Sequence, residues 1–413
     1  MVEGGVQLST IRFIHAADLH LDSPFKGMTG LPIEQLTHLR ESTFNAFTKL
    51  IDYALESKPD FILLVGDIYD GEDRSLRAQM RFQESMEKLY TAGIPVYILY
   101  GNHDHLGGRW TRFELPPNVH VFGGDVETVQ FTINGHEVKV TGFSYTERHV
   151  RKVMIEQYPV AIDSDSFHIG MLHGSLAGDE THAVYAPFTK SELLAKHYDY
   201  WALGHIHLRQ TLHDEPAIVY PGNLQGRHRN EHGIKGFYEV ELSKSRTSLT
   251  FIPTSAIVFQ QLKISCAGIS HANEWLEICI EALDSFRAHH GSGIVELTMI
   301  DVDSEAFNLF NQSPVDEWLD VLREVVGERE PFVWVQTISF EREGNFAIAS
   351  SALAQSVLSL MEEWTEDEWK LILKDVYQHA RGIKYLDILD DDEIQEIKNS
   401  ASSILMAEMS KPE

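Results

Sequence analysis

Phe61-Ile62-Leu63-Leu64-Val65-Gly66-Asp67-Ile68-Tyr69-Asp70 is an apolar run, a glycine, and then two carboxylates three residues apart. An uninterrupted apolar run of this length reads as a strand buried on both faces, the kind found in a parallel sheet. Gly66 permits a tight exit from that strand. Asp67 is then delivered at its carboxyl end, where open α/β sheets collect their ligands. One carboxylate holds little by itself, so partners are expected at other strand ends.

Working outward, four further clusters stand in that context. Residues 11–17 lead to Asp18-Leu19-His20, and residues 95–100 to Gly101-Asn102-His103-Asp104. Residues 167–172 lead to His173-Gly174, and residues 199–203 to Gly204-His205-Ile206-His207. Between the first three strands lie helical patterns over residues 33–57, with apolar Leu36, Leu39, Phe44, Phe47 and Leu50, and over residues 76–91. Pro59 stops the first of them. The alternation predicts a layered α/β core. Residues 126–133 and 136–143, joined by Asn134-Gly135, predict a hairpin. Short strands follow at 209–213, 217–220, 236–242 and 248–252, so two sheets are expected, one early and one late.

Past Pro253 the pattern changes. Strands at 259–264, 293–300 and 332–340, with helices at 273–289 and 305–326, predict a small βαβαβ unit. Beyond Asn345 the chain reads as wholly helical, with Val357, Leu360, Met361, Trp364, Leu371 and Leu373 as apolar faces. Asp390-Asp391-Asp392-Glu393 would open the last helix, where negative charge suits the helix N-terminus. The expected division is 11–255, 256–345 and 346–413.

The clusters supply Asp, Asn and His but no Cys, an inventory suited to hard or borderline divalent cations. Asp18 and His20 are spaced i, i+2, which at a strand end sends both side chains the same way; His205 and His207 share that spacing. A carboxylate can bridge two cations, one per oxygen, and Asp67 is the natural bridge. Asp18, His20, Asp67 and His207 are assigned to one cation, and Asp67, Asn102, His173 and His205 to a second about 3.5–4 Å away. Such a pair activates a water for in-line attack on a phosphodiester. His103 is not needed as a ligand and is expected to contact the scissile phosphate, oriented by Asp104. Asp22 and Asp70 read as outer or loop-capping carboxylates. His15, His105, His182, His197 and His213 read as structural. Arg74, Arg77, Arg81, Arg109, Arg112, Arg148, Arg151, Lys152, Arg227 and Arg229 flank the ligand loops and together suit a polyanion backbone. Arg109, Arg227 and Arg229 are the candidate substrate contacts.

The chain has 413 residues and a net charge of -28, which argues against a general nucleic-acid binder. The charge is uneven. From Ala256 onward there are 30 Asp/Glu against 11 Lys/Arg, a net of -19, leaving -9 for the ligand-bearing part. Cys266 and Cys279 make neither a disulfide framework nor a thiolate metal site, which fits a reducing cytoplasm. Neither a signal peptide nor a bilayer-spanning stretch is expected.

The five clusters, taken in order, resemble the calcineurin-like metallophosphoesterase superfamily. Tyr220-Pro221-Gly222-Asn223-Leu224-Gln225 resembles the matching segment of SbcD-type DNA-repair exonucleases, with Asn223 where many relatives carry serine. Asp18 to Pro24 looks like the start of the YhaO-like subgroup. The resemblance implies an αββα two-sheet sandwich followed by a small α+β capping domain and a helical C-terminal region. It implies two Mn²⁺ ions with the ligand roles above, and His103 as the phosphate-contacting histidine. It also implies DNA as substrate, an SbcC-like coiled-coil ABC-type ATPase as partner, and homodimerisation. Two other readings stay open: a phosphodiesterase for small molecules or nucleotides on the same core, and a non-catalytic binding module.

Overall fold

The computed structural model describes residues 10–25, 28, 30–71, 75–108, 113–177, 185–327, 329–341, 359–360, 364–377, 394, 397–398 and 401. β1 (Thr10–Ala16), β2 (Phe61–Val65), β3 (Val96–Leu99) and β4 (Val119–Val121) lie side by side. Each pairs in parallel with the next. Helices α1 (Ile33–Ser57) and α2 (Leu76–Thr91) connect the first three. α1 buries Leu39, Phe44, Phe47, Leu50 and Ile51, and ends where Lys58 turns left-handed at φ 50 just before Pro59. The hydroxyl of Ser75 caps α2 by accepting from the Ala78 N–H.

The second sheet holds β5 (Glu127–Ile133), β6 (His136–Gly142), β7 (Phe167–His173), β8 (Tyr200–Gly204), β9 (Gln210–His213) and β10 (Ala217–Tyr220), in the order β5-β6-β7-β8-β10-β9. Asn134 and Gly135 make the β5–β6 turn with φ of 50 and 84, the pair of positive values that a two-residue type I′ turn needs. The expectation of one early and one late sheet does not hold. The late strands β11 (Gly236–Ser243) and β12 (Thr247–Pro253) extend the first sheet, β11 pairing antiparallel with β1. Alternation of side chains marks a segment as a strand but does not say which open edge it will find.

The two sheets face each other. Phe13, Phe61, Leu63 and Val65 from the first meet Val140, Ile169, Met171 and Ala202 from the second in one buried cluster. The outer face of the first sheet is covered by α1 and α2. On the second, Tyr145, Trp201 and Tyr220 pack with Met154, Ile155, Tyr158, Phe188 and Leu193. These include a short turn at Met154–Gln157 and helix α3 (Lys190–Leu194), neither of which the periodicity predicts. The α/β sandwich itself is as expected.

His15 crosses the sandwich interior. Its Nε2 lies 3.1 Å from the Leu203 carbonyl and its Nδ1 2.9 Å from the Tyr200 hydroxyl. Burial pushes its pKa down to about 3, so the folded protein keeps the ring neutral. The unfolded chain takes up a proton below about pH 6.5 while the folded one does not. Stability is therefore lost as pH falls from about 6.5 toward 3. His15→Asn is expected to remove about 3 kcal/mol of the loss between pH 7 and about pH 4.5. Urea unfolding of both proteins at the two pH values reads this, and an unchanged difference would exclude it.

β13 (Val258–Ser265), β14 (Gly293–Ile300) and β15 (Val333–Phe340) form a third sheet. Its Phe259 and Ile294, with Phe332 just before β15, cluster with Phe25, Ile257 and Leu39 of α1. α4 (Ala272–His290) follows β13. The single helix expected over 305–326 is two, α5 (Ser304–Phe310) and α6 (Val315–Val326), because Pro314 can stand at a helix start but not inside one. The chain divides into two compact units. One is Met1–Ile264, His271–Thr298 and Phe310–Ser339, and the other Ser265–Ser270, Met299–Leu309 and Phe340–Glu413. Of the expected C-terminal helices, the described part includes Glu366–Tyr377, with Trp369 buried and Leu371 and Ile372 exposed. Val357, Met361 and the 390–393 acidic run lie outside the described residues. No helix among the described residues is long and apolar enough to cross a membrane.

Candidate metal centre

Parallel register brings the strand ends level. Val65 sits opposite Leu99, and His173 opposite Gly204, so each sheet presents its ligand loops at one edge. At that edge the backbone and the loops come very close. A Cβ on Gly204 would lie 2.0 Å from the Val65 carbonyl oxygen, and one on Gly101 2.3 Å from Asp67 Oδ1. Only glycine permits that approach.

The loop after β1 runs beside the loop after β2, tied by Asp18 N–H to Gly66 O (3.1 Å), His20 N–H to Asp67 O (2.9 Å) and Leu21 N–H to Ile68 O (2.9 Å). Asp18, His20 and Asp67 have φ of 52, 42 and 49. The strand pleat invoked for Asp18 and His20 therefore does not operate, since β1 has already ended at Ala16. Left-handed backbone, held by the paired loop, aims these side chains instead. Non-glycine residues in that region are strained and cluster at functional sites.

Asp67 is central. Its Oδ2 lies 3.7 Å from His20 Nε2 and 3.5 Å from His173 Nε2, and its Oδ1 accepts the His103 N–H at 3.0 Å. Asn102 Oδ1 is 3.0 Å from His173 Nε2, whose ring donates from Nδ1 to the Val65 carbonyl at 3.0 Å. Both Asp18 oxygens accept the His205 N–H at 3.1 Å. His205 and His207 diverge, the former ring 5.3 Å from that of His173 and the latter 4.9 Å from that of His20. Ligand atoms of Asp18, His20 and His207 converge within 4.8 Å, as do those of Asp18, Asp67 and His173.

His103 is partly buried, with its ring edge-on to His20 at 5.0 Å. Burial pushes its pKa down, against the pull of Asp67 and Asp70. Asp104 is fully buried. It accepts N–H groups of Ile68 (2.7 Å) and Tyr69 (3.4 Å) on one oxygen and of Gly101 (2.7 Å) on the other. That clamps the Asp67 loop to the Asn102 loop. Arg227 turns inward to pair with Asp70, Arg229 Nη1 lies 3.8 Å from Glu296, and Arg109 lies outside the described residues. Glu231, which the sequence reading did not single out, accepts from His207 Nδ1 at 2.6 Å. Among Arg227, His228, Arg229 and His232 it reads as local charge balance, and only folding sets it on a candidate ligand.

The donor set fits divalent cations. Burial pushes Asp18 up to about 6, and pushes His20 down to about 3 with Arg227 reinforcing. Burial opposes charge on His173, but Asp67 and Asp18 outweigh it and raise the ring to about 9. His173, His103 and His20 hold Asp67 well below the usual carboxylate range despite its burial. Nε2 of His20 and Nε2 of His207 lie 3.1 Å apart. His207 Nδ1 donates to Glu231, a carboxylate that can only accept, which turns the His207 Nε2 lone pair into that gap, while His20 Nδ1 lies 3.1 Å from Asp70 without a hydrogen bond. A cation in the gap satisfies the His207 lone pair and can take His20 Nε2 as well.

The profile of the calcineurin-like phosphoesterases matches residues 11–209. The uncharacterized metallophosphoesterase YhaO of Bacillus subtilis (strain 168) is 36% identical over 405 residues, 97% of this chain and 98% of that protein. The chain belongs to the calcineurin-like phosphoesterases. Two archaeal proteins named DNA double-strand break repair protein Mre11 are also similar. That of Methanocaldococcus jannaschii is 26% identical over 292 residues, 66% of this chain and 70% of its own. That of Thermoplasma acidophilum is 26% identical over 295 residues, 66% and 72% respectively. The protein is a metal-dependent phosphoesterase, and the buried cluster at the sheet edges is where this phosphoesterase holds candidate metal ligands.

Proposed function

We propose that this phosphoesterase is a Mn²⁺-dependent DNA exonuclease, also cutting single strands internally, that acts in cytoplasmic DNA repair with an SbcC-like coiled-coil ABC-type ATPase. The chemistry a bound cation pair supplies is a water that ionises near neutral pH and positive charge against the phosphate. Asp18, His20, Asp67 and His207 hold one cation, and Asp67, Asn102, His173 and His205 the other. His103 contacts the scissile phosphate or the leaving oxygen. Asp104 orients His103, and does so by keeping the two loops that carry Asp67 and Asn102 in register. Residues 256–345 serve as a capping domain, and 346–413 as the partner-binding region of a homodimer.

The observation that carries the polynucleotide reading is a cationic loop beside the centre. Arg148, Arg151 and Lys152 are exposed and have no carboxylate partner among the described residues. The loop leaves Tyr145, whose carbonyl accepts from Leu106 N–H at 2.8 Å, three residues beyond His103. It returns at Val150, whose carbonyl accepts from Ala186 N–H at 2.6 Å, next to Tyr185, whose ring is 5.0 Å from His205. It lays positive charge near the candidate ligands, against the acidic character of the whole chain. The similarity to the two Mre11 proteins supports the same reading.

The test is hydrolysis of end-labelled single- and double-stranded DNA with Mn²⁺, with and without the ATPase, alongside bis-p-nitrophenyl phosphate. Manganese-dependent loss of end label is expected. Turnover of the small diester with no cut in any DNA, partner included, would overturn the reading in favour of a small-molecule phosphodiesterase.

A further inference from the structure

The two cation positions are oriented by different means. On one side, His173 is fixed from behind by the Val65 carbonyl, an atom of β2 itself (3.0 Å). On the other, side-chain carboxylates stand behind the rings. His207 Nδ1 donates to Glu231 Oε1 at 2.6 Å, and His20 Nδ1 lies 3.1 Å from Asp70 Oδ1 as an ion-pair contact without hydrogen-bond alignment.

Both carboxylates lead to one residue. The Arg227 guanidinium pairs with the same Asp70 oxygen that faces His20. The Arg227 backbone N–H donates to Glu231 Oε2 at 2.8 Å, where the Asn223 amide also donates at 2.7 Å. Arg227 and both carboxylates have side chains only 16% exposed, so the assembly is shielded from competing water.

We propose that Arg227 is a positioning residue for one cation position alone: its guanidinium holds Asp70 against His20 and its backbone N–H helps hold Glu231 behind His207, so that both Nε2 atoms turn inward, while the position built on His173 is independent of it. This rests on the two-cation reading above. The physical reason is tautomer control. A carboxylate behind Nδ1 keeps the proton there and leaves the Nε2 lone pair for the metal, and outer partners of this kind typically change metal affinity about 10–100-fold. Arg227 holds Asp70 in place for His20. Its N–H, with that of Asn223, leaves Glu231 a free oxygen only toward His207. Arg227 therefore belongs to the metal centre and is not a substrate contact.

The experiment is Mn²⁺ titration of the full-length metal-stripped protein by equilibrium dialysis and calorimetry, for the wild type, Arg227→Met, Arg227→Lys and Glu231→Gln. The wild type is expected to take up two equivalents. Arg227→Met and Glu231→Gln are expected to weaken one equivalent about 10–100-fold and leave the other unchanged. Arg227→Lys, which can still pair with Asp70, should recover part of the loss. Long-range ¹H–¹⁵N spectra of the metal-free proteins should show His207 leaving the Nδ1–H tautomer in Glu231→Gln, and the His20 ring signals shifting in Arg227→Met. Equal weakening of both equivalents, or of neither, overturns the proposal. A wild type that binds fewer than two cations instead overturns the two-cation reading itself, so the failures are distinct. Unchanged thermal unfolding of the metal-free variants separates orientation from misfolding.

Discussion

Asp67→Ala is expected to lower occupancy at both cation positions and to depress phosphodiester hydrolysis by more than the roughly 100-fold typical of losing an outer-shell partner. The side chain has no substitute. One oxygen stands between His20 Nε2 and His173 Nε2, at 3.7 and 3.5 Å, so it faces both ligand groups. The other receives the His103 N–H and ties that loop to the centre. Removing the carboxylate takes a charge from both positions and frees the His103 backbone together. Asp67→Asn separates the two effects, because an amide oxygen can still accept from His103 while the charge is gone. Manganese stoichiometry by dialysis and turnover of bis-p-nitrophenyl phosphate give the answer. Loss confined to one position would contradict the shared bridge.

His103→Ala is expected to bind both cations normally and to lose about 10²–10⁴-fold in kcat, the usual range for a positioned proton donor or acceptor. Its ring packs edge-on against His20, outside the two groups that gather Asp18, Asp67, His20, His173 and His207. There is a concrete competing outcome. His20, Asp70 and His103 also place ligand atoms within 4.8 Å of one another. If His103→Ala lost an equivalent of manganese, that trio would be a cation position and His103 a ligand. Retained metal with collapsed kcat and little change in KM would assign it to the chemistry.

Much of this was legible in the order of residues. Strands 61–65, 167–172 and 199–203 are short apolar runs, and burial of a run on both faces leaves little freedom in how it folds. The helix at 33–57 shows in its periodicity and its stop at Pro59. The ligand types show because oxygen and imidazole donors after a buried strand have few other reasons to recur. Periodicity is local, however. It could not place β11 and β12 against β1, since pairing across more than 200 residues depends on which edges remain open. Nor could it find Glu231, or the left-handed backbone that aims Asp18 and His20.

What the linear order of residues determined by itself was the inventory: which strands are buried, and which donor atoms stand at their ends. What only the tertiary structure decided was direction. Whether an imidazole offers Nε2 to the centre depends on a carbonyl or carboxylate behind it. For His173 that atom is Val65 O and for His207 it is Glu231 Oε1, 108 and 24 residues away. Hydrogen-bond geometry is a property of positions in space, and those positions exist only once the two sheets have closed on one another.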